Sequence, residues 1–102
     1  MHNEQAVPEV LRSTYHLLYN TFPFEIAEED YLPTLFLLGQ GMGHRGLAEV
    51  ISRFTGQEVA IVLNEVYRAL MPGSVAEKDI ARVRVKLEEH GYQAWLREID
   101  TE

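Results

Sequence analysis

Cysteine is absent from this 102-residue chain. Its absence removes a disulfide framework, a thiolate metal site and a cysteine nucleophile at once, and suits a reducing interior. Long apolar runs are also missing, so nothing reads as a bilayer-spanning helix, and the N-terminus, with Glu4 and Glu9, does not read as a signal peptide. A cytoplasmic protein with no membrane partner is the expectation. Net positive charge is lacking too: the chain carries −7 overall, and residues 1–40 hold six acids against Arg12 alone. Nonspecific affinity for nucleic acid comes from counterion release by clustered Lys and Arg, so this balance disfavours nucleic acid as a partner. No segment alternates as a half-exposed strand, and no repeat of fixed period is present.

What is present is 46% hydrophobic and 25% charged content, enough for one soluble globular core and too little chain for two. The pattern predicts an all-α fold: one compact bundle of five to six short helices over residues 1–102, with residues 1–6 frayed. The first helix runs from about Val7 to Tyr19, with Val10, Leu11, Thr14, Leu17 and Leu18 inward. The connector Phe22-Pro23-Phe24-Glu25-Ile26 breaks the period and is expected to pack its three large apolar side chains on the core. The acids Glu28, Glu29 and Asp30 mark the start of a second helix, Tyr31 to Leu38, with Pro33 in its first turn. That helix has almost no polar face, which places it centrally in the bundle or leaves Phe36 and Leu37 for a partner chain.

A third helix, Arg45 to Phe54, carries the stripe Leu47, Val50, Ile51 and Phe54 and ends at Thr55-Gly56. A fourth, from Gln57 to about Leu70, points Val59, Val62, Leu63, Val66 and Leu70 inward and leaves Ile61 outward, a candidate interaction residue. Met71-Pro72-Gly73 ends it. Ser74-x-x-Glu77 reads as a capping box for a fifth helix with stripe Ile80, Val83 and Leu87, closed by Gly91. Tyr92 to Ile99 supplies a short last helix folding Trp95, Leu96 and Ile99 back onto the bundle.

Gly41, Gly43 and Gly46 spell G-x-G-x-x-G. A dinucleotide fingerprint needs a preceding strand and a surrounding parallel sheet, and no further strands follow to build one. The glycines therefore read as a joint between the second and third helices, ending one in left-handed geometry. What survives is an anion or nucleotide site at a helix N-terminus, with Gly43, His44 and Arg45 as its residues.

Other chemistry lacks its parts. None of His16, His44 or His90 has a His, Asp or Glu at i±3 or i±4, so no metal is expected. No cofactor motif and no G-x-S-x-G elbow occur, and no catalytic residue is assigned. Arg84 lies beside Ile80 and Leu87 on the helical wheel, which predicts a structural ion pair to the Glu28 to Asp30 cluster, Arg84 with Asp30. The Thr55-Gly56 turn invites comparison with a helix-turn-helix, in which Gln57, Glu58, Ile61, Asn64, Glu65 and Arg68 face the groove. Two acids among those six suit phosphates poorly.

The run Phe22 to Leu38, with Asp30-Tyr31-x-Pro33, the run Glu58 to Val66, and Asp79-Ile80-x-Arg82-Val83-Arg84-x-x-Leu87 resemble a small actinobacterial family of conserved hypothetical proteins, including mycobacterial ones. The resemblance covers roughly residues 15–95 and departs at the glycine-rich joint and at Ser74 to Asp79. It implies a compact helical domain of about five helices and carries over no catalytic residues. The expectation is a non-enzymatic protein-interaction module that binds a protein partner or forms a homo-oligomer. The alternatives are helix-turn-helix-like nucleic-acid binding and the anion site at Gly41 to Arg45.

Overall fold

The computed structural model describes residues 7–100, and the expectation of fraying over 1–6 lies outside them. The fold is an all-α bundle: a 3-10 turn at Glu9–Leu11, then α1 (Arg12–Thr21), α2 (Glu28–Leu38), α3 (His44–Thr55), α4 (Val59–Leu70), α5 (Glu77–Glu88) and α6 (Tyr92–Asp100). α2 lies between α4 and α5, α3 and α4 form a hairpin, and α1 packs against α3 and α6. Among the described residues no helix is long and apolar enough to cross a membrane.

The central position of α2 follows from its composition. Leu35, Leu37 and Leu38 are fully buried, and Tyr31, Leu32 and Phe36 half-buried. Leu37, expected as a contact for a partner chain, is at 0% exposure and belongs to the core. Neighbouring helices cover α2 on more than one side, which satisfies an all-round apolar helix without a second chain.

Val10 and Phe24 leave the core against expectation. The tighter 3-10 turn alters the phase at the start of α1, so Leu11 is buried while Val10 is 67% exposed. In the connector, Phe22 is buried and Ile26 half-buried, but the chain bends at Pro23 and Phe24 and Phe24 is 91% exposed.

α2 starts at Glu28, three residues earlier than expected, so Pro33 is its sixth residue and lies beyond the first turn. Proline has no N–H for the carbonyl four residues back, here that of Glu29. α4 begins at Val59, two residues later than the pattern suggested, and Val59 is half out of the core. The capping box at Ser74 does not form. α5 begins after Ala76 with no side-chain cap, and the Ser74 hydroxyl donates backward to the Arg68 carbonyl at 2.5 Å, capping the C-terminus of α4. Gly73, at φ 78°, turns the chain so that Ser74 faces that end.

α6 is held by two buried polar contacts. Tyr92 donates its hydroxyl proton to the Leu37 carbonyl at 2.9 Å, and the Trp95 indole N–H donates to Thr14 Oγ1 at 2.8 Å. Burial raises the Tyr92 pKa. A buried indole N–H without a partner is unfavourable, so Thr14 fixes where the tryptophan can sit.

The glycine cluster is a joint, but not one in left-handed geometry. Gly39, which caps α2, has φ −67°, and the glycines at positive φ are Gly56, Gly73 and Gly91. Gly39 and Gly41 are instead where the chain passes closest to its neighbours. A Cβ on Gly39 would lie 2.9 Å from Leu70 Cδ2, and one on Gly41 3.0 Å from the Trp95 ring and 3.1 Å from Leu96 Cδ2. At Gly43 a Cβ meets nothing within 4 Å. Gly41→Ala should therefore destabilise by about 1–3 kcal/mol, since a buried indole cannot move aside without repacking. Gly43→Ala should change stability by less than about 0.5 kcal/mol. Urea denaturation of the two variants beside the parent chain reads the difference, and equal effects would contradict the packing role of Gly41.

Candidate functional site

Among the described residues, the most heavily bonded polar cluster is at the start of α2. Asp30 is 1% exposed, the third residue of a helix whose first turn carries three acids. The positive end of the helix dipole favours a carboxylate there. From α5, Arg82 donates to Asp30 Oδ1 through Nε at 3.1 Å and Nη2 at 2.9 Å, and Lys86 Nζ donates to Oδ2 at 2.6 Å. Arg82 also donates through Nη1 to Asp79 Oδ1 at 2.6 Å, and through Nη2 to the Glu29 carbonyl at 2.9 Å. That carbonyl is the one Pro33 leaves without a helical donor. The guanidinium thus takes up both the buried charge and the proline's gap.

Asp79, Arg82 and Lys86 are spaced three and four apart and share one face of α5. Arg84 is two positions on and flanks Val83 on the other side. The expected Arg84 to Asp30 pair is therefore corrected: Asp30 takes Arg82 and Lys86, while Arg84 is exposed with its charge near Tyr92. Burial alone raises the Asp30 pKa, but the hydrogen bonds from Lys86 and Arg82 and the field of their charges outweigh it, and the net shift is downward.

One residue on, α2 is tied to α4. The Tyr31 hydroxyl donates to Glu65 Oε1 at 2.7 Å, and burial, the hydrogen bond and the carboxylate charge all raise the tyrosine's pKa. Beside this contact a groove of about 780 Å³ opens between the connector and α2 on one wall and the end of α3 and α4 on the other. Ile26, Leu32 and Phe54 are its apolar residues from three separate segments. Glu25 and Glu28 stand on the first wall, and Glu65 and Arg68 on the second. Phe24 stands at the rim with its ring in solvent. Ile61, 51% exposed, shares a flank of α4 with Glu65 and Arg68 at the i, i+4, i+7 spacing.

Of the expected interaction residues, Ile61 is thus beside the groove, Phe36 is half-buried and Leu37 is core. The proposed anion residues lie elsewhere. Gly43 is the N-cap of α3, His44 and Arg45 are exposed, and the His44 ring lies edge-on to Tyr67 at 5.2 Å. α3 shares its lack of a side-chain cap with α1, α2, α4 and α5, so its N-terminus is not distinguished from theirs. Among the described residues no group of three His, Cys, Asp or Glu could hold a metal ion.

The pattern assigns no site role to Arg82, Lys86 or Phe24. A signal existed for the first two, because Asp79-x-x-Arg82-x-x-x-Lys86 is a one-faced charged row. For Phe24 the residue type alone pointed the wrong way.

No protein-family model matches the chain, and neither the search of curated proteins nor that of solved structures returns a match.

A carboxyl group whose folded pKa lies below its ordinary 3.8 stabilises the fold fully above that value and loses the contribution as pH falls through the folded value. Asp30→Asn should accordingly be less stable than the parent at neutral pH, with the gap closing below pH 3.8. Asp30→Ala at neutral pH should lose on the order of 2 kcal/mol, below the usual figure for breaking a buried pair because the stranded cations are half in water. Urea titrations from neutral pH downward measure both effects. A gap independent of pH would show that the charge on Asp30 is not what holds α2 to α5.

Proposed function

We propose that this protein is a non-enzymatic interaction module whose contact surface is the groove between the Phe24 connector and α4. The observation that carries the reading is Phe24: a phenylalanine 91% exposed on a bend, beside a groove lined by both apolar and charged residues. Isolated surface apolar residues are ordinary, but a large aromatic bordering a groove has the form of an anchor site. Ile61 extends the same surface along α4.

The groove's polar groups suit recognition better than turnover. Glu65 is engaged by Tyr31, and burial and the neighbouring carboxylate raise the tyrosine's pKa, the opposite of what a base near neutrality requires. The nucleic-acid alternative gains nothing from this geometry. α3 and α4 still touch through His44 and Tyr67, far from their turn, so they run side by side, unlike the steep crossing of a helix-turn-helix. The resemblance to the actinobacterial helical family belongs to the same proposal. Asp30, Pro33, Asp79 and Arg82, which help to carry it, belong to the α2 to α5 clamp and not to the groove.

Site-specific photo-crosslinking tests the reading. With benzoylphenylalanine at position 24 or 61, the chain expressed in cells should give protein adducts of defined mass, and none with the probe at exposed position 78 on α5. Adducts equally frequent at all three positions, or at none, would remove the groove as a contact surface.

A further inference from the structure

We propose that the occupant of this groove is a second copy of the chain, each copy inserting its Phe24 into the other's groove. The inference rests on the reading of the groove as a contact surface and adds the identity of the partner. Knob and hole lie next to each other on one face, which is what a self-complementary two-fold interface requires. Phe24 stands in solvent at the rim, and the groove of about 780 Å³ beside it offers Ile26, Leu32 and Phe54 among a lining that is otherwise largely polar. The ring that would enter the groove of one copy is thus supplied by the other.

The charges agree with the geometry. Glu25 and Glu28 stand on one wall; on the other Glu65 is bonded to Tyr31 and Arg68 is the exposed charge, and none of Glu25, Glu28 and Arg68 has an ion-pair partner among the described residues. A two-fold axis running along the groove lays each wall on the opposite wall of the second copy. Glu25 and Glu28 of one copy then meet Arg68 of the other, twice per dimer. A purely basic partner would match the two glutamates but face Arg68 with like charge, and a purely acidic one would do the reverse. The second copy answers both walls at once.

Sedimentation equilibrium of the full chain from about 1 μM to about 200 μM reads the association directly. The chain should pass from monomer to dimer across that range. Phe24→Ser should weaken the dimer at least about tenfold while leaving the melting temperature of the monomer at about 1 μM unchanged, because an exposed ring contributes little to the fold. Arg68→Glu alone, and Glu25→Arg with Glu28→Arg alone, should each abolish self-association by setting like charges on facing walls. Mixed together, those two variants should form a heterodimer with an affinity within about threefold of the parent dimer, since each facing pair of walls is again opposite in sign. A chain monomeric throughout, or a dimer indifferent to Phe24→Ser and to the charge exchange, overturns the inference. The two failures separate cleanly: a monomer that still crosslinks to another protein from position 24 loses the second copy and keeps the contact surface. A monomer without such adducts loses both.

Discussion

The buried carboxylate of Asp30 is the constraint on which the arrangement of this bundle turns. A charged group removed from water needs compensating charge and hydrogen bonds, and here both come from one face of α5. The proline three residues on adds a second demand, because it leaves the Glu29 carbonyl without a helical donor. Arg82 meets both demands with a fork of donors that lysine could not supply, and Lys86 takes the second carboxylate oxygen. An apolar helix such as α2 could slide or rotate among apolar neighbours with little change in buried area. The clamp gives it one register against α5.

The groove is a consequence of that register. Holding the first turn of α2 against α5 places Tyr31 against Glu65 of α4, and the connector before α2 must then cross the open end of the α3–α4 hairpin. Ile26 and Phe22 reach the core from this crossing, and the bend at Pro23 leaves Phe24 outside. At the other end of α2, tight passage replaces charge. Gly39 and Gly41 let the chain pass under Leu70 and the Trp95 ring, and Thr14 and Leu37 accept the protons of Trp95 and Tyr92. The apolar helix is thus pinned by polar groups at both ends, with leucines between.

Much of the bundle was legible in the pattern of residues. The stripe Leu47, Val50, Ile51 and Phe54 is buried as its spacing requires, Gly56 caps α3 in left-handed geometry, and Val83 and Leu87 face inward on α5. The misreadings share a cause. Ser74 has the spacing of a capping box, yet its hydroxyl found the end of the preceding helix nearer. The glycine-rich joint holds residues that serve two purposes, close packing at Gly39 and Gly41 and an open helix start at Gly43. Arg82 and Arg84 stand on opposite flanks of Val83, and nothing within α5 says which flank meets α2.

Local periodicity decides which side of a helix avoids water, because hydrophobic burial depends on the area facing the core and hardly on which neighbour supplies the cover. That much of this protein, the six helices of the described residues with their buried faces and the ends that glycine marks, is written along the chain. Charge pairing and close contact depend on direction and on distances between residues far apart in sequence: fifty-two positions separate Asp30 from Arg82. Which arginine answers the buried aspartate, which glycine must stay bare, and which phenylalanine is left in solvent beside a groove were settled only when the helices packed.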